Sequence, residues 1–177
     1  MKKIQIGVMG PALCEYPEDN EIKESITETA EKIGELLAQN NVTVFTGGCD
    51  GVMEYALKGA KKANGLTVGV PGRERGVSNQ YADVEIITDV DVGSFLFSGI
   101  LSCDAIIFIP GGAGTLAELC IAYRNKKPCI IIEGFDEWYN NLIGKYLDNG
   151  RIIKMFGAKT SEEAVEKAID LAKQNLK

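Results

Sequence analysis

Between Ala105 and Glu118 the chain reads Ala-Ile-Ile-Phe-Ile-Pro-Gly-Gly-Ala-Gly-Thr-Leu-Ala-Glu. A continuous apolar run stops at Pro110, glycines follow at 111, 112 and 114, and a helical pattern begins at Thr115. A strand with no polar face belongs inside a parallel sheet covered by helices on both sides. Gly111, Gly112 and Gly114 let the backbone turn sharply and bring its N–H groups against a ligand. The helix that follows aims its unpaired N–H groups and positive dipole end at the same place. Strand, glycine turn and helix start, in that order, predict an oxyanion cradle, most often for phosphate.

The remaining pattern extends this into a fold. Apolar runs at 4–9, 42–46, 66–70, 84–88, 105–109, 128–132 and 152–156 predict strands. Helical spacing predicts helices over 20–40, 50–63, 92–102, 115–125, 136–147 and 161–176. Asn64-Gly65 is a helix stop. Glu162 and Glu163 sit at the positive end of the last helix. The polar stretch 73–80 is expected to be a mobile loop. Strands alternating with helices predict one α/β domain over 1–177: a Rossmann-like, doubly wound, mostly parallel sheet of about seven strands with helices on both faces. Ligands in such folds sit beyond the carboxyl ends of the strands.

Composition closes off several functions. The net charge is −6, and the only arginines are Arg73, Arg75, Arg124 and Arg151, so no basic stripe suits nucleic acid. No apolar run approaches a membrane span, and the first residues lack a signal-peptide pattern, which predicts a cytoplasmic protein. Five cysteines without Cys-x-x-Cys spacing argue against a disulfide framework or zinc site. The absence of histidine removes Ser-His-Asp and Cys-His machinery and histidine metal ligands. No metal site or cofactor is expected. Nothing marks a lysine for a covalently bound cofactor, so lysine decarboxylation is not expected.

Gly47-Gly48-Cys49-Asp50-Gly51 is a second glycine turn at a strand end. Alone it reads as a tight strand-to-helix connection; beside the 110–118 turn in one sheet it reads as part of the same binding site. Thr115 is suited either to donate its hydroxyl to a phosphate or to form a capping box with Glu118. Arg73 and Arg75 lie in the 73–80 loop, where they either fold over a bound phosphate or stay solvated. Cys49 reads as a small buried side chain, Asp50 as a cap for the next helix, and Arg124 as a surface residue. Trp138 and Tyr139 are expected to pack against the sheet.

The run Pro110-Gly111-Gly112-Ala113-Gly114-Thr115-x-x-Glu118 resembles the Pro-Gly-Gly-x-Gly-Thr-x-x-Glu signature of the lonely-guy family, and Gly47–Gly51 is similar to its Gly-Gly-x-x-Gly turn. Characterised members are nucleoside 5′-monophosphate phosphoribohydrolases. The superfamily also holds the molybdenum cofactor carrier proteins, which bind without hydrolysing. The resemblance implies a nucleotide or other phosphorylated small molecule held by Gly47, Gly48, Gly51, Gly111, Gly112, Gly114 and Thr115, and a homodimer or higher oligomer. It gives Glu118 the place of the glutamate that contacts ribose and supports glycosidic cleavage, stabilising oxocarbenium-like charge or orienting a water. Catalytic members carry an arginine nine residues before the aspartate matched by Asp104. Here that position is Phe95, followed by Leu96. Losing that cation removes a clamp on phosphate or on developing charge. The expectation is therefore a non-catalytic carrier or sensor, with the N-glycosidic hydrolase as the alternative.

Overall fold

In the computed structural model, residues 2–88 and 97–175 are described. Seven strands form one sheet in the order β4-β3-β2-β1-β5-β6-β7. They are β1 (Gln5–Met9), β2 (Thr43–Thr46), β3 (Thr67–Gly72), β4 (Val84–Ile87), β5 (Ala105–Phe108), β6 (Cys129–Ile132) and β7 (Phe156–Ala158). Every neighbouring pair is parallel. The helices are α1 (Asn20–Gln39), α2 (Val52–Lys62), α3 (Phe97–Ser102), α4 (Ala113–Arg124), α5 (Glu137–Asn140) and α6 (Ser161–Asn175). The doubly wound α/β architecture is as the sequence implies.

The central strands divide their side chains between two cores. Ile107 and Ile109 join Ile6 and Val8 under α1, α2 and α6, whereas Ile106 and Phe108 join Ile100, Leu119 and Tyr123 on the other face. This is the period-two alternation of a strand buried on both sides. Helix α1 is started by Asp19, whose carboxylate accepts from the N–H groups of Glu21 at 2.9 Å and Ile22 at 3.3 Å. Its buried face, Ile26, Ala30, Ile33, Gly34 and Leu37, follows the three-to-four spacing. Helices α1 and α2 approach so closely that a Cβ on Gly34 would collide with the Ala56 carbonyl oxygen, and one on Gly59 with that of Glu31. Asn64, at φ 58°, ends α2 in the left-handed conformation before Gly65.

Two expectations need correction. The helix expected over 136–147 is a single turn. Asp136 caps it, accepting from Trp138 N at 2.7 Å and Tyr139 N at 3.1 Å. Gly144 then turns out at φ 76°, and Ile143 pairs with Met155 instead of continuing the helix. The last strand lies at 156–158 rather than 152–156, because Tyr123 captures the preceding segment. Its hydroxyl donates to Asp148 at 2.7 Å and accepts from Ile152 N at 3.1 Å. The first part of the helix expected over 92–102 lies outside the described residues. No described helix is long and apolar enough to cross a membrane.

Candidate functional site

The chain winds outward from β1 to β4 and then returns to place β5 on the other side of β1. The carboxyl ends of β2, β1 and β5 therefore sit side by side at the switch point, where open α/β sheets bind ligands. Both glycine turns reach this edge, with the loop after β1 between them. Pro11 is the wedge. Its carbonyl oxygen accepts from Val52 N at 3.1 Å and lies 2.5 Å from where a Cβ on Gly51 would stand. On the other side, its Cδ lies 2.9 Å from a Cβ on Gly111. Gly51, at φ 64°, thus serves packing against Pro11, and the first amide of α2 is already occupied.

The β5 turn keeps its donors free. Gly112, at φ −76° and ψ −156°, precedes α4 and brings no capping side chain. Leu116 N donates to the Gly112 carbonyl at 3.1 Å. The N–H groups of Ala113, Gly114 and Thr115 have no partner among the described residues. A Cβ on Gly114 would meet nothing within 4 Å, so the helix surface at Gly114 is open. The helix starts two residues earlier than the sequence suggests. That makes Thr115 its third residue instead of its cap, and the Thr115–Glu118 capping box does not form. The Thr115 hydroxyl is buried, has no hydrogen-bond partner among the described residues, and turns toward Gly111, 2.5 Å from where its Cβ would stand. A buried hydroxyl left unpaired calls for an explanation.

Glu118 lies one turn further along the same buried face of α4 and is 4% exposed. Its carboxylate makes no hydrogen bond among the described residues. Burial, and then the nearby negative charge of Glu15, push it up to about 8. Burial thus favours its proton-bearing form. Glu15 stands at the rim: its Oε2 accepts from Ala12 N at 3.2 Å, and its Oε1 lies 2.8 Å from where a Cβ on Gly112 would stand. Beside the turn, a cleft of about 200 Å³ is lined by Gly111, Gly112, Leu116, Asp136, Trp138 and Tyr139.

The second turn is built from elsewhere. The 73–80 stretch, expected to be mobile, is fastened at its end. Asn79 N donates to the Gly48 carbonyl at 2.7 Å. Its Nδ2 donates to the carbonyls of Gly48 at 3.0 Å and Cys49 at 2.7 Å. Glu85 holds the N–H groups of Gly76 at 2.7 Å and Ser78 at 2.8 Å. Gly48, at φ 82°, has no room for a side chain beside Ser78. The N–H groups of Cys49 and Asp50 have no partner among the described residues. Asp50 does not cap α2; its carboxylate accepts from Leu13 N at 3.0 Å. Burial, with Asp50 adding to it, pushes the Cys49 thiol up, so Cys49 is no activated nucleophile.

The other candidate residues are dispersed. Arg75 lines a separate cavity of about 410 Å³ with Ser78, Asn79, Asp83 and Glu85. Arg73 and Arg124 are exposed. Tyr139 is buried as expected, but Trp138 is 51% exposed and does not pack against the sheet. Phe95 and Leu96 lie outside the described residues. Pro11, Glu15 and Asn79 were not singled out by sequence reasoning. Gly10-Pro11 is an evident strand end, whereas Glu15 and Asn79 carry no local signal.

Fold and site together define a Rossmann-like protein whose free main-chain amides gather at the switch point of a parallel sheet. Residues 3–165 match the SLOG cluster4 family, and the chain belongs to it. The crystal structure of the protein TM1055 superposes with a TM-score of 0.82 at 31% identity, covering 94% of this chain and 99% of that one. The molybdenum cofactor binding protein of Rippkaea orientalis gives a TM-score of 0.77 at 31% identity, covering 100% and 99%. The molybdenum cofactor carrier protein of Chlamydomonas reinhardtii gives 0.77 at 26% identity, covering 96% and 98%. The resemblance read from Pro110–Glu118 is thus borne out for the family and for its carrier-like branch.

Proposed function

We propose that the protein binds a phosphorylated, nucleotide-like or pterin-like small molecule at the start of α4 and acts as a carrier or sensor, not as a hydrolase. One observation carries this reading: the Thr115 hydroxyl is buried, has no partner among the described residues and turns toward Gly111 at the start of α4. A phosphate oxygen placed there receives that hydroxyl together with the amides of Ala113, Gly114 and Thr115, at the positive end of a twelve-residue helix. Gly111 and Gly112 supply the turn that exposes these donors. The similarity to molybdenum cofactor binding and carrier proteins supports a binding role. So does Phe95 at the position where catalytic relatives carry an arginine.

The hydrolase reading keeps one observation in its favour, Glu118 one turn from Thr115 on the same face. Cleaving the glycosidic bond of a nucleoside monophosphate breaks C1′–N, adds water at C1′ and returns a proton to the base. A proton-bearing Glu118 is suited to protonate the departing base, but not to stabilise positive charge at C1′ or to activate water. Calorimetry with 5′-AMP and 5′-GMP, paired with chromatography for free base, separates the two. Saturable binding without base release is expected. Turnover that disappears in Glu118→Gln overturns the carrier reading, and no binding at millimolar nucleotide overturns both.

A further inference from the structure

Trp138 is the one tryptophan of the chain. It stands 51% exposed on the first turn after Asp136. A solitary exposed aromatic side chain is ordinary, but this one lines the same cleft as Gly111 and Gly112. The turn that carries it is held in place. Asp136 caps the turn through the N–H groups of Trp138 and Tyr139. The buried Tyr139 ring meets the indole edge-on, with centroids 5.1 Å apart and planes at 85°. That contact anchors the indole and leaves half of its surface to solvent. Leu116, on the first turns of α4, adds apolar surface to the cleft. A half-open indole across a cleft from the Gly111-Gly112 turn that leads into the cradle has the chemistry that receives a flat ring attached to a phosphate.

We propose that Trp138 is a specificity-determining residue that stacks the planar heterocycle of the ligand. The amides at the start of α4 hold the phosphate. The ligand class is then a heteroaromatic ring joined to a phosphate, such as a purine nucleotide or a phosphorylated pterin, rather than a simple sugar phosphate. This inference rests on the phosphate site proposed above. Stacking is tolerant of ring identity because every such ring presents a π-face. Trp138 therefore selects for flatness, leaving choice among bases to other groups.

The indole is also its own reporter. Tryptophan emission is titrated with 5′-AMP and, separately, with ribose 5-phosphate, and affinities are measured by calorimetry. Wild-type protein is expected to bind both probes, with 5′-AMP tighter by about tenfold and only 5′-AMP quenching the emission. Trp138→Leu is expected to lose that advantage while keeping its ribose 5-phosphate affinity, which also shows that the cradle is folded. Trp138→Phe is expected to recover part of it. Equal affinities for the two probes in wild type, or a Trp138→Leu protein that retains the 5′-AMP preference, overturn the stacking role and leave the phosphate site standing. Failure of both probes to bind overturns the phosphate site and the stacking role together.

Discussion

Glu118 makes the site's electrostatics measurable through stability. In the unfolded chain its carboxyl loses its proton near 4.5; in the folded protein, burial and the charge of Glu15 hold the proton up to about 8. Between those values the native state carries one proton more than the unfolded state, so stability falls as pH rises. The slope is about 1.4 kcal/mol per pH unit, and across the window the group withdraws about 5 kcal/mol. That compares with a typical total of about 5–15 kcal/mol for a domain. Glu118→Gln keeps the shape and removes the titration. The assay is urea unfolding at intervals from pH 5.5 to 8 for both proteins.

The other shifted groups leave that window clear. Glu31, Asp83, Glu85 and Glu163 are lowered by their ion-pair or backbone partners. Their contribution is complete above the ordinary carboxylate range and is lost only on acidification. The thiols of Cys49, Cys103, Cys120 and Cys129 are raised by burial, so they act above the ordinary thiol value of 9.0. Wild type should therefore lose several kcal/mol relative to Glu118→Gln between pH 5.5 and 8. Two parallel stability profiles would refute the argument that this carboxyl stays protonated in the folded protein.

Three further changes probe the frame and the cradle. Gly114→Ala places a methyl group in open space, so helix stability should rise by about 0.5–1 kcal/mol. The same methyl adds bulk next to the free amides and should weaken 5′-AMP binding at least tenfold by calorimetry. Gly34→Ala drives a Cβ into the Ala56 carbonyl and should cost about 3 kcal/mol or more in urea unfolding. Glu15→Gln removes a like charge beside Gly112 while keeping an acceptor for Ala12 N. Phosphate affinity should rise by about three- to tenfold at low ionic strength, with the gain fading in high salt.

The sheet was legible because its strands are apolar on both faces, a pattern few other structures require. Misplacement came where tertiary contacts outweigh local spacing. Trp138, Leu142 and Ile143 follow helical intervals, yet Ile143 pairs with Met155 and Gly144 reverses the chain. Ile152 and Ile153 read as strand, yet the Tyr123 hydroxyl holds Ile152 N outside the sheet. At the site, Gly48, Gly51 and Gly111 announce themselves because a side chain would not fit there. Thr115 was ambiguous because its spacing to Glu118 imitates a capping box. The helix start that decides between the two roles is set by the backbone of Gly112.

The residues that shape the second turn were invisible for a physical reason: they act across loops of different strands. Asn79 grips two successive carbonyls, those of Gly48 and Cys49. No peptide bond among the described residues is cis. In a trans peptide the N–H points opposite to its C=O, so the amides of Cys49 and Asp50 face away from Asn79. Meanwhile Val52 N is spent on Pro11. The second turn thus forms a wall with two spare donors, while the start of α4 keeps three amides and a hydroxyl. Arg75 is drawn beside Glu85 and Phe95 stands at the family's arginine position, and the donors identified on the α4 turn itself are all uncharged. Neutral, preorganised donors hold an oxyanion in place. They supply no formal positive charge to compensate negative charge that builds on a departing group, which is the ground of the carrier reading proposed above.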